Sequence, residues 1–471
     1  MLFNIPQEVW LASPTASTQL YLPLSRAGLG FLSQKLISPH AWVASWANSL
    51  GYMWNNIPAV KHFIKIVDPQ NANNFLPGIE ESLLPSMIEL KSADVVVKER
   101  IEWIRESDEP LADKINYPSG WIDFLDSHPQ LQHDISWSVH KMQGRELLKL
   151  QKAKIGEAVN DKEKTHLIRH YVRLSQVACK SASAFLMAIP MSKSRTLMDP
   201  VMSDAVCMYL GVCPSPLLGM IPNPNFNPEA LQLEGEAIEP ATIKGFVERK
   251  CACGEIIDQF GIHGHCCGKQ AEYNPAHHAL CQALTRTIAD TKERPLREQS
   301  FCPAHLGWSM DILVPNDNQG GEPKLIDVSV MEPGAKTYLP KYDDTLFFDK
   351  KITADKLTKY HVLKGPDGKP VDHFTVFSMT THGRLGKQAE KLLTECSKVY
   401  AERFHTPYVS IERQAGWFKD RAYRLLSVSS WKWRSIKLRT TVRLHYDAAF
   451  WLNAGDIDHE FLMNEPDVNF Y

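Results

Sequence analysis

A dense run of cysteine and histidine between residues 251 and 267 constrains the fold more than any other feature of the sequence. The run reads CACGEIIDQFGIHGHCC and contains four of the ten cysteines in the chain. Ten cysteines among 471 residues are too few for the disulfide framework of a small secreted domain. Two short-spaced ligand pairs joined by a turn are instead typical of a structural zinc site. The predicted zinc ligands are Cys251, Cys253, His263 and Cys267.

The predicted zinc site leaves no position for a substrate, because four protein ligands complete the tetrahedral coordination that zinc prefers. We therefore expect the site to fold a small knuckle beside a nucleic-acid path. His265 and Cys266 are alternative ligands. A group of buried thiols without metal is the other interpretation of this run.

A second pattern places two aspartates on neighbouring predicted strands. Asp311 opens the apolar run MDILVP, Asp327 lies within LIDVSV, and the turn-like sequence NDNQGGEP separates the two runs. Their midpoint, Gln319, falls inside that turn, so a hairpin centred there sets the aspartates directly opposite each other. Opposed side chains have Cβ atoms about 4.5–5.5 Å apart, where like charges are destabilising unless a cation lies between them. Two such carboxylates suit Mg²⁺.

The helix predicted after these strands supplies cations to the same place. Lys356, Lys359 and Tyr360 share one helix face. Glu298, in the strand before Asp311, offers a third acidic ligand. A metal, carboxylates and a lysine form the set needed for metal-assisted hydrolysis of a phosphodiester, and either lysine can serve in it. The alternative is a solvated hairpin with surface aspartates, although an idle charge inside LIDVSV would then be costly.

Periodicity along the chain predicts an α+β protein of several domains. The apolar residues of 132–151 and 165–189 recur at helical spacings, and a proline-rich stretch ends this mainly helical part near residue 240. After the knuckle, the order helix, three strands, helix, strand, helix predicts an α/β domain. The predicted regions are 1–240 (helical), 245–270 (knuckle), 271–405 (α/β) and 406–471 (basic tail).

Charge is balanced overall but concentrated at the C-terminal end. The formal net charge of −2 excludes a uniformly basic protein of the histone type. Residues 411–445 nevertheless hold nine basic and two acidic residues, interleaved with Trp417, Trp431 and Trp433. Such a tail can follow a DNA backbone, or it can be a solvated helix with core tryptophans. No segment approaches the roughly 18 apolar residues of a membrane span, and no secretory signal is recognisable, so we expect no membrane partner.

The order of these motifs resembles the C-terminal part of non-LTR retrotransposon proteins that carry a restriction-like endonuclease. CACGEIIDQFGIHGHCC, HHAL, MDILVP, LIDVSV and KLTKY carry the resemblance, which extends to residues 21–47 and 416–426. In that family a Cys/His knuckle precedes a nuclease of the PD-(D/E)xK type whose catalytic lysine has moved to the following helix. This sequence is similar, with Ser329 two residues after Asp327 and Lys356 on the predicted helix.

The resemblance implies a restriction-endonuclease-like core in 271–405 and a region like a reverse-transcriptase thumb and linker in 1–240. It implies a Mg²⁺-dependent DNA endonuclease that nicks target DNA, so that the exposed 3′-hydroxyl primes reverse transcription. Target DNA is then the main partner, element RNA a further one, and the nucleus the expected location. The chain would be a fragment, or a standalone descendant, of a longer retroelement protein. A catalytically inactive remnant that only binds nucleic acid is the alternative.

Two smaller features of the sequence have their own interpretations. Tyr342, Asp343 and Asp344 spell a polymerase triplet, but they follow the nuclease strands. We interpret them as coincidence and expect no polymerase active site in this chain. His277 and His278, on the helix after the knuckle, can contact phosphate or serve a structural purpose.

Overall fold

The structure is a computed structural model that divides into two compact units, Ser17–Glu157 and Met1–Ala16 with Ala158–Tyr471. It describes residues 13–31, 33–56, 80–117, 130–188, 199–214, 217–222, 241–246, 249–251, 253–258, 260–267, 275–300, 308–315, 323–363 and 371–443. The fold is mixed α/β and mostly helical, with a small four-stranded mixed sheet.

The unit Ser17–Glu157 is helical over its described residues. Its helices are α1 (Pro14–Tyr21), α2 (Gln34–Asn56), α3 (Glu80–Ser107), α4 (Glu109–Ala112) and α5 (Leu131–Glu157). The first of these helices begins three residues before the unit does. Buried apolar side chains at spacings of three and four, such as Ile135, Val139 and Met142 of α5, give each helix one core-facing stripe. These stripes of α2, α3 and α5 form one apolar core.

The other unit begins with helices and short strand pairs. Its first elements are α6 (Asp161–Val177), α7 (Lys180–Ser183), α8 (Asp199–Leu210), β1 (Leu218–Pro222), β2 (Ala241–Phe246), β3 (Arg249–Lys250), β4 (Ile256–Ile257) and α9 (Ile262–Cys266). β1 pairs with β2, and β3 with β4, both antiparallel. The Cys/His run therefore folds as a β-ribbon followed by a short helix.

The sheet and its helices follow. They are α10 (Pro275–Ala289), β5 (Leu296–Ser300), β6 (Ser309–Val314), β7 (Lys324–Met331), α11 (Phe347–Lys359), β8 (Phe374–Thr380), α12 (Lys387–Arg403) and α13 (Ile411–Arg443). The strand order is β5-β6-β7-β8, with β7 and β8 parallel and the other pairs antiparallel. Because β7 and β8 run parallel, the chain crosses over between them through α11.

Helices cover both faces of the sheet. Ile326 of β7 and Phe377 of β8 pack into an apolar cluster with residues of α10, α12 and α13. Leu325 of β7 and Val376 of β8 face the other way, into a cluster with Phe348 and other residues of α11. Every residue of β8 is buried, as expected for a strand covered on both faces.

The predicted hairpin register is the one found. Ile312 pairs with Ile326, and Val314 with Lys324, so the same register puts Asp311 level with Asp327. Residues 316–322 of the turn sequence NDNQGGEP lie outside the described residues. The predicted strands and helices of 271–405 are present in the predicted order.

Two predictions for the flanking regions differ from the structure. The predicted helix 165–189 ends at Val177, after which the chain turns into α7. The division of the chain at Glu157 also differs from the predicted boundary near residue 240. The helices between these points pack on α13: the Trp431 and Tyr209 rings meet edge-to-face with centroids 5.9 Å apart, and Arg439 donates to Asp204 at 2.5 Å.

The basic tail is largely a single helix, α13, whose middle is part of the core. Trp431 is fully buried, and the guanidinium groups of Arg434 and Arg439 form buried ion pairs. Trp417, near the start of α13, is exposed. Residues 444–471 of the predicted tail lie outside the described part. Among the described helices, none combines the length and the apolar character that crossing a bilayer requires.

Candidate functional site

The predicted acidic residues lie in one row across three neighbouring strands. The β5–β6 register pairs Arg297 with Ile312 and Gln299 with Met310, which puts Glu298 level with Asp311. Asp311 in turn is level with Asp327. The register brings these residues level with one another, but their carboxylates do not form one cluster. Asp311 contacts α10 and Asp327 contacts α11, and these helices cover opposite faces of the sheet.

Asp327, at the β7 end of this row, is its most buried member. Its side chain is 4% exposed, and Lys356 Nζ lies 2.7 Å from its Oδ2. The Tyr360 hydroxyl donates to Oδ1 at 3.2 Å, and the Ser329 hydroxyl to Oδ2 at 3.4 Å. Burial raises the pKa of Asp327 above its ordinary value, although Lys356 opposes the rise. The lysine therefore compensates only part of the cost of burying this charge.

The last turn of α11 decides which lysine reaches the carboxylate. Lys356 is close enough to bond Asp327, and its side chain stays 26% exposed. Lys359 is exposed and lies over the Tyr360 ring, with Nζ 4.6 Å from the ring centroid. Of the two lysines considered from the sequence, Lys356 is thus the one that contacts an aspartate in the described structure.

Asp311 is held by α10 and by the main chain of β7. Its Oδ2 accepts the Val328 N–H at 2.6 Å and lies 3.3 Å from His277 Nε2. His277 Nε2 is also 3.1 Å from the Val328 carbonyl oxygen. Burial raises the pKa of Asp311, but the contacts with His277 and Val328 outweigh it and leave the pKa lowered. The same contact with Asp311 raises the pKa of His277.

Glu298 joins the row by register but not by side-chain contact in this structure. Its backbone φ of 53° lies in the left-handed region, which is uncommon for a residue other than glycine. Its exposed carboxylate lies 3.7 Å from His278 Nδ1 and 3.5 Å from Arg297. Among the described residues, the donor cluster at this end of the sheet consists of His277, Cys281 and Asp311, within 4.8 Å of one another. Glu298 and Asp327 are not in it.

The predicted zinc ligands converge in the knuckle. The donor atoms of Cys251, Cys253, His263 and Cys267 all lie within 4.8 Å of one another. Cys251 Sγ is 3.6 Å from Cys267 Sγ, and Cys253 Sγ is 3.2 Å from His263 Nε2. Two sulfurs bound to one tetrahedral zinc at about 2.3 Å would be about 3.8 Å apart, so the donor set fits that ion.

The two alternative ligands lie apart from this donor cluster. Cys266 is exposed, and its thiol is not among the converging donor atoms. The His265 carbonyl oxygen accepts a hydrogen bond from Lys437 of α13 at 3.2 Å. His263 and Cys267, four residues apart in and just after the short helix α9, belong to the donor cluster, which includes neither His265 nor Cys266.

The contact between His277 and Asp311 is the part of the site that the sequence did not specify. The sequence suggested phosphate as a partner of His277, whereas the structure places its Nε2 on a neighbouring carboxylate. Cys281, four residues further along α10, shares the helix face of His277, with its Sγ 3.6 Å from Nε2. The spacing of His277 and Cys281 was visible in the sequence, but it does not identify Asp311, on another strand, as the residue that His277 contacts.

Comparisons with known proteins do not extend this description. No protein-family model matches the chain, and no curated protein is significantly similar to it.

Proposed function

We propose that this protein is a Mg²⁺-dependent DNA endonuclease, in which Asp311 and Asp327 hold the metal and Lys356 is the active-site lysine. One observation carries the proposal: two carboxylates stand level on adjacent strands, with a lysine amine 2.7 Å from one of them. The resemblance to retroelement nucleases adds that the nick would expose a 3′-hydroxyl for reverse transcription. The core of 271–405 would then be of the restriction-endonuclease type.

The carboxylates of Asp311 and Asp327 suit magnesium, because hard carboxylate oxygens are the protein ligands that this ion prefers. When bound, Mg²⁺ would supply a Lewis acid that lowers the pKa of water and neutralises charge at the phosphate. Asp327 and Asp311 would orient the ion, and the Tyr360 hydroxyl and the Val328 N–H fix the two carboxylates in place. Lys356, one quarter exposed, can turn from Asp327 towards a phosphate oxygen and stabilise the negative charge that develops there.

The knuckle would bind zinc through Cys251, Cys253, His263 and Cys267, with a structural purpose. Four protein ligands leave no open position, so no chemical step is assigned to it. Its contribution would be to hold the β3–β4 ribbon and α9 together beside α13.

Nicking of supercoiled plasmid DNA in Mg²⁺ tests the endonuclease proposal. Asp327→Ala should abolish nicking while DNA binding survives, because the variant loses a metal ligand but no basic surface. Asp343→Ala is the matched control: it removes an exposed aspartate of the polymerase-like triplet and should nick like the wild type. Nicking that persists in Asp327→Ala refutes the assignment.

A second candidate function is nucleic-acid binding without cleavage. It is favoured by the contacts that already occupy the aspartates, since Lys356 bonds Asp327 and His277 approaches Asp311. A metal would have to compete with these cations. This candidate predicts zinc-dependent DNA binding and intact plasmid in Mg²⁺ and in Mn²⁺ alike.

A further inference from the structure

A stripe of aromatic and basic side chains runs along α5 in the helical unit. Trp137, Lys141 and Arg145 are four residues apart, so they lie on one helix face with Cα atoms about 6 Å apart along the axis. The Trp137 side chain is 43% exposed, and Lys141 Nζ lies 5.2 Å from the centroid of its ring. Ile135, Val139 and Met142 of α5 face the core, whereas the side chains of Lys141 and Arg145 are 20% and 41% exposed.

Two further cations stand beside the stripe. Arg26 lies across α5 at Gly144, where an added methyl group would be 3.5 Å from the Arg26 Cβ. Lys114, in the turn after α4, is an exposed cation whose charge contributes to lowering the pKa of Lys141. We name these five residues the basic stripe: Arg26, Lys114, Trp137, Lys141 and Arg145.

The cations of the basic stripe outnumber the carboxylates they pair with. Arg145 bonds Asp108, and Lys141 is 3.7 Å from the same carboxylate. Burial, and then repulsion from Arg145, lowers the pKa of Arg26 and of Lys141. Within the described part of this unit, the only ion pairs recorded for these cations are the two with Asp108. Cations held this close repel one another, and a bound polyanion would offset that repulsion by attracting each of them.

We propose that the basic stripe binds single-stranded nucleic acid, with Lys141, Arg145 and Arg26 on successive phosphates and Trp137 stacked on an unpaired base. The linear arrangement of cations follows a backbone, and an exposed indole suits a base that is not stacked in a duplex. An anionic membrane is a poorer partner, because the apolar face of α5 is buried and cannot enter a bilayer. The proposed nuclease is not needed for this binding.

Fluorescence anisotropy of the full chain with a labelled oligothymidine of about 20 nucleotides tests the proposal. The logarithm of the binding constant falls linearly with the logarithm of the salt concentration, and each phosphate contact on a single strand makes this slope steeper by about 0.7. Near 0.1 M salt, the loss of one such contact therefore weakens binding about fivefold. The double variant Lys141→Ala/Arg145→Ala should therefore bind about 25-fold more weakly, with a slope smaller by about 1.4. Trp137→Ala should lose at least about fivefold in affinity at an unchanged slope.

A charge-matched double variant distinguishes the effect of the stripe from the effect of removing two positive charges anywhere on the unit. Lys98→Ala/Arg105→Ala removes two cations of α3 that each have their own carboxylate, Asp94 at 2.9 Å and Glu102 at 2.8 Å. It should bind like the wild type. If the stripe variant fails to fold by circular dichroism, Lys141→Gln alone replaces it, with an expected slope change of about 0.7.

Three outcomes would overturn the proposal. The first is a loss of oligonucleotide affinity in the Lys98/Arg105 control as large as in the stripe variant. The second is wild-type affinity in the stripe variants. The third is binding of the chain to anionic phospholipid vesicles without binding to the oligonucleotide. Asp327→Ala should bind the oligonucleotide like the wild type. A chain that binds through the stripe but does not nick plasmid would contradict the endonuclease proposal and leave this one standing.

Discussion

Replacing Lys356 by methionine isolates the ion pair at the centre of the candidate site. Methionine keeps most of the aliphatic stem and removes the amine that lies 2.7 Å from Asp327. The carboxylate is then left 4% exposed, with the Tyr360 and Ser329 hydroxyls as its remaining donors. Breaking a buried pair from one side typically costs about 3–5 kcal/mol.

Protonation of Asp327 sets a ceiling on that cost. Burial already raises the pKa of Asp327 beside Lys356, and the loss of the lysine raises it further. Protonating an ordinary aspartate at about pH 7 requires about 4 kcal/mol, so we expect a loss of about 2–4 kcal/mol in the free energy of unfolding. Below about pH 3, one unit under the ordinary aspartate pKa, Asp327 is protonated in the folded and the unfolded state alike, and the difference between variant and wild type should vanish.

Urea unfolding at neutral and acidic pH measures this loss, and plasmid nicking measures its chemical consequence. Lys359→Met is the matched control, because Lys359 lies one turn away over the Tyr360 ring and not on the carboxylate. Removal of one preorganised charge-stabilising donor typically lowers turnover by about 10²–10³-fold, so nicking should fall by that factor in Lys356→Met and remain in Lys359→Met. A stability loss that does not depend on pH, or one shared by Lys359→Met, would refute the reasoning.

Three other perturbations address the rest of the molecule. Burial above all lowers the pKa of His40 to about 4, so the helical unit should lose about 3 kcal/mol between about pH 7 and pH 4, and His40→Gln should abolish that loss in urea unfolding. Arg439→Ala breaks a buried ion pair and should cost about 3–5 kcal/mol, against less than about 1 kcal/mol for the exposed Arg421→Ala, by the same measurement. Chelation of zinc, or Cys267→Ser, should lower the thermal midpoint by several degrees, whereas Cys266→Ser should leave it unchanged.

Each of these expectations has a contrary result. An acid response that is the same in His40→Gln would show that another group titrates. Equal losses in Arg439→Ala and Arg421→Ala would mean that burial of the pair does not set its contribution. A thermal midpoint unaffected by chelation would favour the interpretation of the knuckle as thiols without metal.

The hairpin could be predicted from the sequence because two local rules fix it. Side chains alternate along a strand, and the centre of the turn sets which residues are opposite each other. A midpoint at Gln319 therefore placed Asp311 level with Asp327 without any knowledge of the rest of the fold, and the pairing of Ile312 with Ile326 has that register. Helical periodicity likewise predicted that Lys356 and Lys359 lie on one face of the helix after these strands.

Contacts between distant segments were beyond such rules. His277 meets Asp311 because α10 lies against β6 and β7, which depends on how the helix packs across the sheet. The tail shows the same limit: its sequence suggested either a DNA path or a solvated helix with core tryptophans, and neither gave the partner of Arg434, which bonds Glu332 with both side chains almost fully buried. Sequence spacing gives the face of a helix but not the surface that covers it.

Stability does not explain the carboxylate of Asp327. Its neighbours in β7, Ile326 and Val328, are buried and apolar, and an aliphatic side chain at this position would continue the run. Burial raises the pKa of Asp327 even beside Lys356, which shows that the pair does not recover the whole cost of removing the charge from water. Buried pairs of this kind can often be replaced by apolar residues without loss of stability. The proposed endonuclease would give a chemical reason for a carboxylate here, because the charge of Asp327 lies at the end of the sheet where Lys356 is still partly open to solvent.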